Sequence, residues 1–122
     1  MEFKKEFTAG IIIIGNEILS GRTVDKNTSF IASWLNEKGI SVEEVRAIPD
    51  KEQVIIDTVN ELRNKFAYVF TTGGIGPTHD DITSESISKV FNQKYQYHKE
   101  AYKLLEDYYK NQDFNEGRKK MA

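Results

Sequence analysis

The sequence predicts an α/β protein with a mainly parallel sheet, and three observations carry that expectation. Two apolar runs, Ala9–Ile14 and Ala67–Thr71, do not alternate with polar residues, so both faces of each strand should be covered, as in a parallel sheet. Stretches with helical spacing lie between the strands. Glycine-rich or polar loops follow the strands, at the edge where ligands bind in such sheets.

Ala9–Ile14 holds four consecutive isoleucines and ends at Gly15. Lys4 and Lys5 before it give a faint likeness to a leader, but the apolar run is short for one and yields to Asn16-Glu17. It is also far below the ~20 apolar residues of a membrane helix. Asn27–Lys38 reads as a helix with Phe30, Ile31, Trp34 and Leu35 on one stripe, ended by Gly39. Val42–Ile48 reads as the second strand. Pro49-Asp50 breaks the pattern, and Asp50 with Gln53 three residues on suggests a capped helix start. That helix runs to about Lys65, with Ile55, Val59, Leu62 and Phe66 on its buried face. Ala67–Thr71 is the third strand. After the loop to Thr83 comes a helix with Ile87, Val90 and Phe91 on one side. An amphipathic segment over Lys99–Lys110 follows, with Ala101, Leu104, Leu105, Tyr108 and Tyr109 as its stripe. The tail Asn111–Ala122 is polar.

The 122 residues suggest one domain, and 39% apolar with 30% charged residues is the balance of an ordinary globular protein. The net charge of −2 and the lack of any basic stripe speak against nucleic acid as a partner. With no cysteine there is no disulfide, thiol catalysis or thiolate metal site. A cytoplasmic protein with no membrane contact is expected.

The loop Thr71-Thr72-Gly73-Gly74-Ile75-Gly76-Pro77-Thr78-His79-Asp80-Asp81-Ile82-Thr83 carries the chemistry. Its glycines permit backbone angles closed to other residues and let a ligand reach the main chain. Successive amides, with the helix dipole behind them, form an anion-binding concavity. Pro77 stiffens the loop. There is no Gly-Lys-Ser/Thr of a P-loop, and the glycine spacing is not that of a dinucleotide fingerprint. A plain glycine turn is the alternative. Adjacent carboxylates at Asp80 and Asp81 would repel a phosphate unless a divalent cation lay between, and Mg²⁺ is held in that way. Helix capping is the alternative for them. The first loop offers Asn16, Glu17, Ser20, Gly21, Arg22, Asp25, Lys26 and Asn27 as the rim of a pocket, or simply as a hydrophilic connection.

The same loop resembles the signature of the MoaB/Mog molybdopterin-binding domain family, and its Thr-His-Asp-Asp form resembles the CinA-like (competence/damage-inducible) branch. Gly15-Asn16-Glu17-Ile18-Leu19-Ser20-Gly21 with Asp25-Lys26-Asn27 is similar to that branch's first-strand motif, and Ile48-Pro49-Asp50 to the turn after its second strand. The resemblance spans about residues 8–110. It implies a three-layer α/β/α fold of a domain that continues past this chain's last residues, so the chain is expected to be C-terminally incomplete. It implies molybdopterin binding and Mg-ATP-dependent adenylylation in one branch. In the CinA-like branch it implies metal-dependent hydrolysis of ADP-ribose and related pyrophosphates. The deamidase activity of a second CinA domain is not expected of this chain.

The candidate set is then as follows. Asp50 and Asp81, the family's key aspartates by motif, are expected to be catalytic. Asp80 and Asp81 would hold Mg²⁺ or another divalent cation. Ligand and phosphate would lie against Gly15, Asn16, Glu17 and Asn27 of the first loop and Thr72, Gly73, Gly74, Gly76, Pro77 and Thr78 of the second. The expected ligand is a nucleotide or pterin phosphate, and no bound organic cofactor is expected. The leading expectation is a nucleotide pyrophosphatase; the alternatives are molybdopterin adenylylation and a ligand-binding domain without turnover. A homo-oligomer is expected, since an open sheet edge or apolar patch needs cover.

Overall fold

The structure is a computed structural model that describes residues 5–122. Lys4, noted above with Lys5 for a faint likeness to a leader, lies outside the described residues. The elements run β1 (Lys5–Ile14), α1 (Asn16–Leu19), α2 (Asn27–Glu37), β2 (Ser41–Ile48), α3 (Glu52–Lys65), β3 (Phe66–Thr72), α4 (Thr83–Val90), α5 (Lys99–Tyr108) and α6 (Glu116–Lys119).

The three strands form one sheet in the order β2-β1-β3, and β1 pairs parallel to both neighbours. The chain steps from β1 to β2 in one direction and from β2 across to β3 in the other. Parallel crossovers are right-handed, so α2 and α3 must lie on opposite faces of the sheet. The result is a three-layer α/β/α arrangement of MoaB/Mog type, as expected. The isoleucine run shows both faces in use. Ile12 and Ile14 pack with Ile48 of β2 and with Ile55, Val59 and Leu62 of α3, while α4 adds Ile87 and Val90 at the margin. Ile11 and Ile13 point the other way and are buried as well. Each fully buried isoleucine stabilises the fold by roughly 1.5–3 kcal/mol, and β1 contributes four to the interior.

Several local expectations do not hold. A single helical turn, α1, forms in what reads as a loop, and Gly21 turns the chain out of it with φ of 79°. On α2 only Leu35 is buried, whereas Phe30 (73% exposed) and Trp34 (49%) face outward. The stripe is therefore narrower than its apolar composition suggests. Gly39 does end this helix in a left-handed conformation, φ 81°. Asp50 does not cap α3: the N-cap is Lys51, without a side-chain bond, and Gln53 bonds Asp57 instead. Phe66 opens β3 rather than closing α3. Phe91 lies beyond α4 and is exposed, and α5 buries none of its residues, with Leu104 and Tyr108 open to solvent. The polar tail is ordered into α6.

Candidate functional site at the β1/β3 crevice

The connections leaving β1 and β3 run to opposite sides, which makes the space between their carboxyl ends the switch point where α/β sheets bind ligands. A cleft of about 220 Å³ occupies this position, lined by Ile14 and Glu17 after β1, by Asp25, Lys26 and Asn27 before α2, and by Thr72 and Gly73 at the end of β3. It joins the two loops that the sequence singles out.

The glycine loop is fitted tightly to the sheet. Gly73 and Gly74 both have left-handed backbones, with φ of 87° and 67°. A Cβ on Gly73 would lie 2.0 Å from the carbonyl oxygen of Ile14. One on Gly74 would lie 2.1 Å from the Thr83 hydroxyl and 3.4 Å from Oδ1 of Asp50. Thr83 is buried and fastens the loop twice: its hydroxyl donates to the Gly73 carbonyl at 2.9 Å, and its amide donates to that of Gly74 at 3.1 Å. The amides of Gly74 and Ile75 have no partner among the described residues, so they are available to an anion.

Asp50, in the turn after β2, is held by Asn16, just past the end of β1. The Asn16 amide donates to Oδ2 of Asp50 at 3.1 Å, and the Asp50 amide donates to Oδ1 of Asn16 at 3.2 Å. Asn16 therefore positions Asp50. Gly15 donates its N–H to the Ile48 carbonyl at 3.0 Å, and its φ of 168° is ordinary extended backbone. Its role is to close the end of β1 rather than to offer an amide.

Asp80 and Asp81 converge on one hydroxyl. Thr78 Oγ1 lies 2.5 Å from Oδ1 of Asp80 and 2.6 Å from Oδ2 of Asp81, so its single proton is shared between them. The Thr78 amide also donates to Oδ2 of Asp81 at 3.0 Å. The Thr78 hydroxyl, together with the amide of Asp80 itself, holds the Asp80 carboxyl below the usual carboxylate range. Burial pushes the Asp81 carboxyl up, but the Thr78 hydroxyl and the amides of Thr78 and Gly76 outweigh it, and the net shift is downward. Both groups are thus kept ionised. Neither caps α4, whose N-cap is Ile82 with no side-chain bond.

The oxygen set suits a hard cation: two carboxylates and a hydroxyl on one loop match the way Mg²⁺ is bound by one or two carboxylates together with phosphate oxygens. Among the described residues no three His, Cys, Asp or Glu side chains gather into a closed metal cage, so a cation here would need oxygens from the ligand.

A brace from the far end of the chain supports this turn. Lys120 donates from its ammonium group to the carbonyls of Thr78 and Asp81, the latter at 2.9 Å. The neighbouring turn of α6 packs so closely that a Cβ on Gly117 would stand 2.3 Å from the Pro77 carbonyl oxygen. Sequence reasoning misses Thr83, Gly117 and Lys120 as site residues. A hydroxyl at a helix start is a weak signal for Thr83. Nothing local marks Lys120, which lies 39 residues from Asp81.

The sequence pattern of the probable molybdopterin binding domain family matches residues 10–119. The chain belongs to this family. A CinA-like protein of Flavobacterium psychrophilum is 42% identical over 106 residues, covering 84% of this chain and 25% of that protein. Other curated relatives are matched over 39–49% of their length, so the chain spans between a quarter and a half of them. Among solved structures, CinA of Thermoplasma acidophilum, described as of unknown function, superposes with a TM-score of 0.88 at 33% identity, covering 95% of this chain and 69% of that one. MoaB of Thermus thermophilus, a molybdopterin biosynthesis enzyme, superposes at 0.66 with 19% identity, covering 81% of this chain and 62% of MoaB, a likeness of fold alone. Among the described residues, no helix of this member is long and apolar enough to cross a membrane.

Proposed function

We propose that this CinA-type domain is a cytoplasmic metal-dependent hydrolase that cleaves the pyrophosphate bridge of ADP-ribose or a related nucleotide. One observation carries the reading: the ionised Asp80 and Asp81 share the Thr78 hydroxyl in the same loop that carries the unpartnered amides of Gly74 and Ile75. Amides attract phosphate, and carboxylates beside it have a purpose when a cation stands between. Hydrolysis adds one water across the P–O–P bridge and yields two phosphate monoesters. The loop amides and the positive end of α4 hold the phosphates. Asp50, oriented by Asn16, faces the same glycine and is suited to hold a water proton. Asp80, Asp81 and Thr78 would hold Mg²⁺, which supplies Lewis-acid polarisation of a phosphoryl oxygen.

Molybdopterin binding with adenylylation is the second reading, favoured by the family's description and the MoaB-like fold. Binding without turnover is the third. The experiment is incubation with Mg²⁺ and, separately, ADP-ribose, FAD, NAD, ATP, and ATP with molybdopterin, followed by mass spectrometry. Nucleoside monophosphate from ADP-ribose, FAD or NAD supports the hydrolase. An adenylylated pterin in the last mixture supports the second reading, and bound but unchanged ligands support the third. Within an active preparation, Asp81→Asn is expected to lower the rate by 10²–10³, about 3–4 kcal/mol, with a smaller effect on nucleotide affinity. Near-normal turnover would remove Asp81 from the mechanism. A homo-oligomer completes the reading, with the uncovered aromatic face of α2 as the surface in need of cover.

A further inference from the structure

A second cleft, of about 370 Å³, is lined by Lys120 and the Tyr95–Gln96–Tyr97 stretch. Its volume falls within the range of small-molecule sites, roughly 300–1,000 Å³. The residues are of the kind that recognise a planar ring. Tyr95 and Tyr97 leave 44% and 49% of their surface open in a segment without regular structure. Gln96 between them carries a donor and an acceptor for a ring edge. Lys120 has three N–H donors and directs two at the Thr78 and Asp81 carbonyls, which leaves one for a ligand in the cleft it lines.

The walls are held before any ligand arrives. Tyr97 packs on Tyr102 with ring centroids 5.1 Å apart, and Tyr102 packs on Phe114 at 5.3 Å. Just past both walls the chain is clamped, with the His98 amide donating to the Ala122 carbonyl at 2.8 Å. Partial burial, with the Glu85 carboxylate nearby, pushes the Tyr95 hydroxyl up, so that side chain stays neutral. Lys120 lines this cleft and also braces the carboxylate turn through the Thr78 and Asp81 carbonyls, so the cleft adjoins the backbone of that turn.

We propose that the Tyr95–Tyr97/Lys120 cleft is the subsite for the heteroaromatic ring of the ligand whose phosphates the glycine loop holds. The tyrosines supply a stacking surface, Gln96 reads the ring edge, and the free Lys120 donor meets a ring acceptor. This rests on the phosphate-loop reading above, and the experiment separates the two.

Calorimetry on the whole chain uses four probes: pyrophosphate, adenosine, ADP and 6-methylpterin. Adenosine or 6-methylpterin should bind without any phosphate, and the tighter of the two identifies the ring class. Tyr95→Leu should weaken that ring, and ADP if the ring is adenine, by about tenfold, while pyrophosphate affinity stays unchanged. Gln96→Ala, on an exposed side chain, repeats the test with no loss of ring packing, and saturation transfer from tyrosine ring protons to the bound ring repeats it without substitution. The inference is overturned if neither ring binds the natural chain, or if both variants keep full affinity for the ring. Failure of pyrophosphate to bind would instead overturn the phosphate-loop reading, and a ring affinity that depends on Tyr95 would still stand.

Discussion

At Gly74 a side chain has nowhere to go. The backbone is left-handed and the Thr83 hydroxyl stands where a methyl group would enter. Gly74→Ala combines left-handed strain with loss of a buried hydrogen bond, so it should destabilise the protein by roughly 2–4 kcal/mol. A larger side chain here would unseat the fold along with the site, so Gly74 is a poor probe of binding alone. Urea melts of Gly74→Ala and Gly76→Ala make the comparison. Gly76 is not left-handed, and the nearest atoms its added Cβ would meet belong to the Asp81 side chain, 2.8 Å away, rather than to backbone. The Gly76 variant should lose less stability than the Gly74 variant, and equal melts for all three would mean that the loop reroutes around Thr83. Asp81 offers a second residue-scale prediction. Its folded-state pKa is lowered, so the unfolded chain takes up a proton first as pH falls. The stability it contributes is present above the ordinary carboxylate pKa and is lost as pH drops through the lower folded value. Thermal unfolding between pH 6 and 3 should therefore fall more steeply for the natural chain than for Asp81→Asn. Parallel curves would show that Thr78 holds the carboxylate no better than water does.

At the scale of elements, α2 shows which part of the fold is legible in sequence. The apolar positions of Asn27–Lys38 place a helix correctly, but they cannot say which of four large side chains faces the sheet. Leu35 takes the interior, and Trp34 lies outside with the Lys38 ammonium 4.5 Å from its ring centre. Leu35→Ala should cost about 2–5 kcal/mol. Trp34→Ala should cost under about 1 kcal/mol, since half-exposed surface and an exposed cation–π contact are all it removes. The reverse order by chemical denaturation would mean that α2 is rotated. The central strand is legible for a firmer reason: the unbroken apolar run Ile11–Ile14 has its stable home between two layers. The same reasoning overstates β3, an edge strand of this sheet on which Ala67 and Tyr68 are exposed and no residue is fully buried. The site divides in the same way. Gly73, Gly74, Asp80 and Asp81 lie within one loop and announce themselves, and Asp50 lies close through Asn16. The apparent capping pattern Asp50–Gln53 misleads because a better partner, the Asn16 amide, comes from 34 residues away. Thr83 and Lys120 act through tertiary contacts that no spacing encodes.

For the molecule as a whole, the distribution of exposed aromatic residues matters most. Phe30 and Trp34 on α2, Tyr68 on β3 and Tyr108 on α5 all stand partly or largely in solvent. Scattered singly they would be unremarkable, but Phe30 and Trp34 share one helix face. Light scattering at micromolar concentration is expected to give a mass above the 14.0 kDa of one chain, and Trp34→Glu is expected to lower it. A natural chain that runs as a monomer would count against the oligomer.

The attachment of Lys120 also sets an order of events. Ribosomes deliver the chain from the N-terminus, at roughly 5–20 residues per second. The sheet, α3 and α4 are complete by Val90. The Thr78–Asp81 turn then waits for Gly117 and Lys120 to emerge before its carbonyls are tied down. A nascent chain paused near residue 110 would already bury its isoleucines yet lack a set pair of carboxylates. Setting of the turn thus follows formation of the core, and cleavage between Val90 and Gly117 would release the turn while leaving the isoleucine core intact.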